Sequence, residues 1–461
     1  MKNQKFDKTK EEILLSQKGL TDKNAIESLI EFKQSHPETL KKKLPTEMYD
    51  KVNLMCRKYM DRMAHFEIAY DFEVDETAFK NVTICALETA PVFHSSVIKN
   101  PIAPYWKNEF YHIDEVVFSK HTNTLERDKS DFFASELPLS SNVQIKIALF
   151  YNSGKTYICL KWNHMCMDGG GFKAFWNDFC KCYSEYTLTG KMPMIFSSGS
   201  RKYTDVYKDF DKKTASRAKK QFANISPRDN HRFPFKNNNI EKDAIIVSKT
   251  VDADIFKNAV KYAKNHGATV NDLLIATYIT ALSELADFKP HESISVSSAV
   301  DLRRYIKDLS NIGYTNHVSF IHCAIQRIGD NFEETLSLVN EKMKEIKKDE
   351  FMGLHGLPLL NIGYKSMVYL QAETVVKLFY RNPTLSVSNL GAIDTTAFSL
   401  GGNEPFSAFS AGAAKNKPCA VMTALSINGT LCASICLRGN DSDRKLLEEF
   451  FDKFESVLKT L

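Results

Sequence analysis

Alternation of apolar and polar side chains is clearest in a few short segments, and these anchor the reading of the chain. Phe66 to Val74 alternates with a period of two, as a half-buried strand does, and Asp75 then caps a helical pattern running to Leu87. Strand-like runs follow at Phe110 to Ser119, Val143 to Tyr151 and Lys155 to Trp162. The last two flank Asn152-Ser153-Gly154, which predicts a hairpin turn. An aromatic pattern of helical period, Phe172 to Tyr186, closes this half. Further on, Ala244 to Val251 reads as a strand, Asp254 to Asn265 as a helix ended by Gly267, and Thr269 to Leu285 as a longer, largely apolar helix. Strands are predicted at Ser293 to Val300 and Val318 to Gln326, and a charged helix at Phe332 to Lys348. A strand pair, Cys419 to Ile427 and Thr430 to Leu437, precedes a closing helix, Asp443 to Leu458. Both halves therefore mix antiparallel hairpins with helices, an α/β chain of α+β character. No repeat period is visible, which disfavours a solenoid.

A chain of 461 residues exceeds what one hydrophobic core usually serves, so two domains are expected. The pattern divides into a helical N-terminal extension (1–65), a first half (66–196), a polar basic linker (197–242) and a second half (243–461). Pro37 and Pro45 interrupt the Lys/Glu-rich extension. The composition, 43% hydrophobic and 25% charged, is that of an ordinary globular protein. No uninterrupted apolar run is long enough for a transmembrane helix, and the N-terminus lacks the apolar run of a secretion signal. The ten cysteines, among them Cys85, Cys159, Cys323, Cys432 and Cys436, sit mostly alone in apolar patterns. That predicts reduced, buried thiols and a cytoplasmic location. The net charge of +5 is unevenly spread: residues 1–65 hold 14 basic and 10 acidic side chains, residues 197–242 hold 12 and 5. The basic excess suits a solvated linker, or attraction of an anionic, phosphate-bearing cofactor to a domain junction. No small module interleaves basic and stacking aromatic residues, so nucleic acid is not an expected partner.

The candidate chemistry centres on Asn163-His164-Met165-Cys166-Met167-Asp168-Gly169-Gly170-Gly171. A histidine stands where a strand ends, an aspartate follows four residues later, and three glycines precede a helix, freeing the backbone for a tight turn. A metal pair at His164 and Asp168 is disfavoured, since neither a His-Glu-x-x-His segment nor paired Cys-x-x-Cys units would complete the shell. A Cys166 nucleophile with His164 as base lacks any protease-like signature, and a purely structural histidine stays open. Asn152 to Thr156 imitates the end of a phosphate-binding loop but sits between two strands. No Gly-x-Ser-x-Gly elbow and no Gly-x-Gly-x-x-Gly fingerprint occur. In the second half, Ser297 to Arg304 puts Asp301 and Arg303 at a strand's end. There Arg303 either holds a buried carboxylate or forms part of an exposed turn. Thr384 to Gly391 alternates hydroxyls and an amide (Ser386, Ser388, Asn389) with apolar residues, as an oxyanion-stabilising strand or a plain polar edge would.

Taken together, these segments resemble the CoA-dependent acyltransferase superfamily. It includes condensation domains of nonribosomal peptide synthetases, wax ester synthases, alcohol acetyltransferases and the plant BAHD enzymes. The carrying residues are His164-Met-Cys-Met-Asp168-Gly169, matching His-x-x-x-Asp-Gly, supported in order by Ala268 to Leu274, Val300 to Arg303 and Ser386 to Gly391. The resemblance spans roughly residues 66–460 and implies two chloramphenicol acetyltransferase-like domains in a V, with His164 midway along a central tunnel. It implies His164 as general base toward an alcohol or amine attacking a thioester. Asp168 would pair with Arg303 as a structural clamp, Gly169 would permit the turn, and Ser386, Ser388 and Asn389 would line the tunnel. Asn163 departs from the double histidine of condensation domains, and Ser388-Asn-Leu-Gly391 replaces the Asp-Phe-Gly-Trp-Gly of the plant enzymes. No permanently bound cofactor and no metal is implied; acyl-CoA, or an acyl or peptidyl carrier thioester, would be the co-substrate. With no carrier or adenylation domain in the sequence, the expected partners are a small-molecule acceptor and, for the condensation type, a carrier protein in trans. A non-catalytic relative acting as a binding module is the remaining alternative.

Overall fold

Two hairpin turns of the same kind mark the two halves of the molecule. Ser153 and Gly154 have φ of 53° and 77°, and Asn428 and Gly429 have 49° and 83°. The left-handed conformation at both central residues matches the right-handed twist of the flanking strands. The first turn joins Ile145–Asn152 to Lys155–Asn163, and the second joins Ala420–Ile427 to Thr430–Arg438. The computed structural model describes residues 6–56, 59–221, 231–239, 241–289, 292–380 and 382–461.

Around the first hairpin lies a five-stranded sheet in the order Ser407–Ala411, Met63–Tyr70, Lys155–Asn163, Ile145–Asn152, Val117–His121. Helices Glu76–Thr89 and Gly169–Thr189 share its apolar core through Phe79, Trp176 and Phe179. The second sheet has seven strands. Val318–Ile325, Ile294–Asp301, Leu385–Ala392, Ala420–Ile427, Thr430–Arg438 and Lys415–Asn416 run in that order, and Ala244–Val251 also pairs with Thr430–Arg438. Helices Val270–Ala286 and Asp441–Lys459 pack on it around Tyr278, Leu447 and Phe450.

Several expectations shift. The first strand spans Met63–Tyr70, not Phe66 to Val74, because it is buried on both faces and alternation is then a poor guide to its ends. Between Phe110 and Ser119 a short 3₁₀ turn, Ile113–Glu115, precedes the strand Val117–His121. Glu115 accepts from the N–H of His112 at 3.1 Å, and such a local bond competes with a sheet ladder. Beside the hairpins, both sheets hold parallel pairs: Leu385–Ala392 with both its neighbours, and Val117–His121 with Ile145–Asn152. Helices at Leu125–Ala134, Leu357–Ser366 and Tyr369–Phe379 carried no clear signal in the pattern.

The halves also interlock. Ser407–Ala411 belongs by sequence to the second half, yet it pairs antiparallel with Met63–Tyr70 in the first sheet. The extension docks onto the first half. Lys18 and Lys33 both reach the buried Glu88 carboxylate, and Lys43–Pro45 pairs with Tyr105–Asn108. The stretch 197–242, of which 222–230 and 240 lie outside the described residues, contains the 3₁₀ turn Tyr203–Tyr207 and the helix Lys212–Ala218. Tyr203, Val206 and Tyr207 are buried in a junction core with Met48, Leu302 and Phe351, so this part of the segment is structural.

Candidate active site

His164 is the first residue beyond the strand Lys155–Asn163, and Asp168 is the N-cap of Gly169–Thr189. The loop between them is held by its backbone. Each carbonyl from His164 to Met167 accepts a side-chain hydrogen bond. Asn316 Nδ2 donates to His164 O at 2.8 Å and to Met165 O at 3.2 Å. Arg201 Nη2 donates to Met165 O at 3.0 Å and to Cys166 O at 3.2 Å, and Trp162 Nε1 to Met167 O at 3.1 Å. The N–H of His164 donates to the Arg62 carbonyl at 2.6 Å. With its backbone fixed on so many sides, the imidazole is presented from a rigid element.

The His164 side chain is half-buried, with Nδ1 enclosed and unpartnered, which leaves Nε2 as the nitrogen available to a substrate. Burial lowers the imidazole pKa below its ordinary value, and the nearby Asp168 charge only partly opposes this. A neutral imidazole at neutral pH follows. Cys166 is fully buried and its thiol pKa is pushed up by that burial, so it has neither the access nor the thiolate of a nucleophile.

Both oxygens of Asp168 are engaged elsewhere than on His164. Oδ1 accepts from Arg303 Nη2 at 2.9 Å and from the N–H of Gly171 at 2.7 Å. Oδ2 accepts from Arg303 Nη1 at 3.2 Å and from the N–H of His317 at 2.6 Å. Burial alone would raise this carboxyl's pKa, but the Arg303 charge and these bonds hold it below the usual range. Arg303 also donates to Thr315 O at 2.7 Å and, from Nη1, to Asp301 Oδ1 at 3.1 Å, while Asp301 itself is largely exposed. Arg303 therefore crosses between the halves rather than sitting in an exposed turn.

The glycines do something other than expected. Gly169 to Gly171 form the first helical turn, and none has a left-handed φ. Their value is close approach. A Cβ on Gly170 would stand 2.6 Å from Arg303 Nη1, and one on Gly171 would stand 2.7 Å from Thr315 O. What the missing side chains leave is space for the guanidinium and its anchor, not freedom for a turn.

Ser386 and Ser388 lie on the strand Leu385–Ala392, on the face opposite Leu385 and Val387, which pack with the helices. Ser386 pairs in register with Ser297, whose hydroxyl meets His322 Nδ1 at 2.8 Å. The strand's far end reaches the first half: a Cβ on Gly169 would meet Leu390 Cδ2 at 2.4 Å, and Lys173 Nζ donates to Leu390 O at 3.0 Å. Asn389 Oδ1 accepts from the N–H of Gly391 at 2.8 Å, so that oxygen serves the strand itself. A cavity at the seam near Glu67, Lys129, Thr250 and Ser407 does not include His164.

Asn316, His317, Arg201 and Asp50 were not singled out from the sequence. Asp50 accepts from both Arg201 Nη atoms at 3.1 Å and from Trp106 Nε1 at 2.9 Å, so the extension braces the His164 loop through one guanidinium. His317 is buried with both ring nitrogens unpartnered, and burial pushes its pKa down to about 4. The one available signal was the polar run Thr315-Asn-His317 ahead of a strand, which does not say what it will touch.

The family model described as Condensation domain matches residues 74–460. Among solved structures, the first condensation domain of the CDA synthetase superposes with a TM-score of 0.64 at 13% identity, covering 90% of this chain and 95% of that one. The trichothecene 15-O-acetyltransferase TRI3 from Fusarium sporotrichioides gives 0.62 at 13% identity, with 90% and 95% covered. A wax ester synthase/diacylglycerol acyltransferase from Marinobacter aquaeolei VT8 gives 0.55 at 14% identity, with 90% and 99% covered. At these identities the likeness carries the fold. No curated protein sequence matches.

Proposed function

The chain belongs to the condensation-domain family of the CoA-dependent acyltransferase superfamily, and from that premise we propose that it transfers an acyl group from acyl-CoA to an alcohol or amine. The observation that carries this reading is a half-buried, neutral His164 whose neighbour Asp168 is wholly committed to Arg303, Gly171 and His317. His164 then acts alone as the base, without an aspartate relay.

In the proposed reaction Nε2 takes the proton of the acceptor O–H or N–H as that atom bonds to the thioester carbonyl carbon. The tetrahedral intermediate collapses with cleavage of the C–S bond, and the imidazolium returns its proton to the departing thiolate. General-base help of this kind is worth about 10²–10⁴-fold. Ser386 and Ser388 are the hydroxyls we assign to the developing oxyanion, where loss of one donor typically costs about 3 kcal/mol.

The condensation-domain match also favours a second reading, in which the acyl donor is tethered to a carrier protein. One experiment separates the two. The purified protein is given acetyl- and longer acyl-CoAs, or carrier-bound acyl groups, with a panel of alcohols and amines, and free thiol and product are measured. His164→Ala is expected to lower turnover by about 10²–10⁴-fold with its melting temperature kept. Turnover with carrier-bound donors alone selects the second reading, and no product from either donor defeats both.

A further inference from the structure

Exposed apolar side chains gather on the helical hairpin formed by Leu357–Ser366 and Tyr369–Phe379. Leu359 is 67% exposed and Ile362 48%; three residues apart, they share a stripe that runs down the first helix to the joint. The joint shows Met367 and Val368 to solvent, and the first turn of the second helix shows Leu370. A neighbouring turn extends this surface. The N–H of Tyr369 donates to Ile102 O and that of Leu370 to Pro101 O, each at 2.9 Å, and Ile102 is 69% exposed. Asn100 Oδ1 accepts from the N–H groups of Ile102 at 2.9 Å and Ala103 at 3.2 Å, so the isoleucine stands on a braced turn. Single exposed apolar residues are ordinary, but a group joined in this way marks an interaction surface.

The small sheet that carries Lys43–Pro45 and Tyr105–Asn108 borders the same surface. Tyr364 Oη donates to Thr46 O at 3.3 Å, and Thr46 Oγ1 donates to Pro104 O at 2.6 Å. The charge here has one sign. Residues 41–46, 95–108 and 351–380 hold seven lysines and one acid, Glu373. Glu373 is buried and paired with Lys99 at 3.1 Å and Lys377 at 3.4 Å. Lys43 stands directly opposite Lys107 in register, where like charges repel. Glu109 balances Lys107 at 2.9 Å. Among the described residues no carboxylate lies within salt-bridge distance of Lys43, which rests over the Tyr105 ring, or of the exposed Lys365.

We infer that this face docks on an anionic lipid bilayer, with Ile102, Met367, Val368 and Leu370 entering the headgroup layer and the lysines lying against its negative charge. Apolar side chains rimmed by lysine, with no exposed acid among them, complement such a surface. A protein partner fits less well, because protein interfaces favour arginine and are depleted of lysine, and every cation here is a lysine. No described helix is long and apolar enough to cross a membrane, so the contact is with the bilayer surface.

The test floats the full chain with vesicles of phosphatidylcholine alone and with vesicles that also contain phosphatidylserine. The wild type should rise with the anionic vesicles and less so as salt is added. Ile102→Ser and Leu370→Ser should each weaken partitioning about tenfold. Lys43→Gln and Lys365→Gln should each weaken it about fivefold. Leu188→Ser, which removes an exposed leucine from the helix Gly169–Thr189, should leave it unchanged. All five positions are on the surface and the melting temperature should hold; if an apolar variant unfolds, the lysine pair still decides. No flotation with anionic vesicles overturns the inference. So does wild-type flotation in all four face variants, or an equal loss in Leu188→Ser. A dimer in sedimentation that Ile102→Ser dissolves, or capture of a carrier protein, in either case without vesicle binding, assigns the face to protein and overturns it as well.

Discussion

Asp168 and Arg303 show how a short motif divides its labour. Four hydrogen bonds converge on the carboxylate and none comes from the imidazole, so the aspartate shapes the loop and the proposed proton transfer is left to the histidine. Removing the guanidinium would leave a buried carboxylate with only two N–H donors. Arg303→Ala is therefore expected to lose about 3–5 kcal/mol of stability together with activity. Unchanged thermal unfolding with full turnover would remove the clamp from the account. The pH profile tests the same site from the other side. In the proposed reaction the neutral imidazole is the active form, and burial lowers its pKa, so kcat/KM should rise with pH through a limb below the usual 6.5 and be flat near pH 7. A limb at or above the ordinary histidine value would contradict a desolvated base.

At the scale of elements, the start of the helix Gly169–Thr189 must let the opposite half come within van der Waals contact. Gly171→Ala puts a methyl group 2.7 Å from Thr315 O, the same carbonyl that anchors Arg303. A loss of about 1–3 kcal/mol and of activity is expected, because backbone rather than a flexible side chain has to move. Gly356→Ala, with nothing within 4 Å, is the control and should stay within about 0.5 kcal/mol of the wild type. Equal tolerance at both positions would disprove the close-approach explanation. The sequence made the glycines conspicuous and suggested a turn. Only the contact across the junction shows why side chains are excluded, since a Cβ clash 144 residues away in sequence leaves no local trace.

For the molecule as a whole, buried histidines set the acid limit. His65, His94 and His317 are enclosed, and burial lowers each pKa to about 4. Between the unfolded value near 6.5 and about 4, the unfolded chain binds protons that the native chain refuses. Stability is thus complete above about pH 6.5 and falls as pH drops toward 4, by up to about 1.4 kcal/mol per pH unit for each histidine. Melting temperatures measured from pH 7.5 to 4.5 should fall steeply below 6.5, and a flat profile would show that these rings accept protons while folded.

Many of the local elements, and the histidine we propose as base, were legible in the sequence alone. Periodicity and turn residues are properties of neighbouring positions, so the hairpins, the long apolar helix Val270–Ala286 and the strand-end histidine were readable where they stand. Tertiary structure alone decided what surrounds them. The crossing of Ser407–Ala411 into the first sheet, the brace from Asp50 through Arg201 and the amide of Asn316 all join residues far apart in the chain. Their meeting depends on how two sheets pack, and packing is a property of the whole chain that no window of sequence contains.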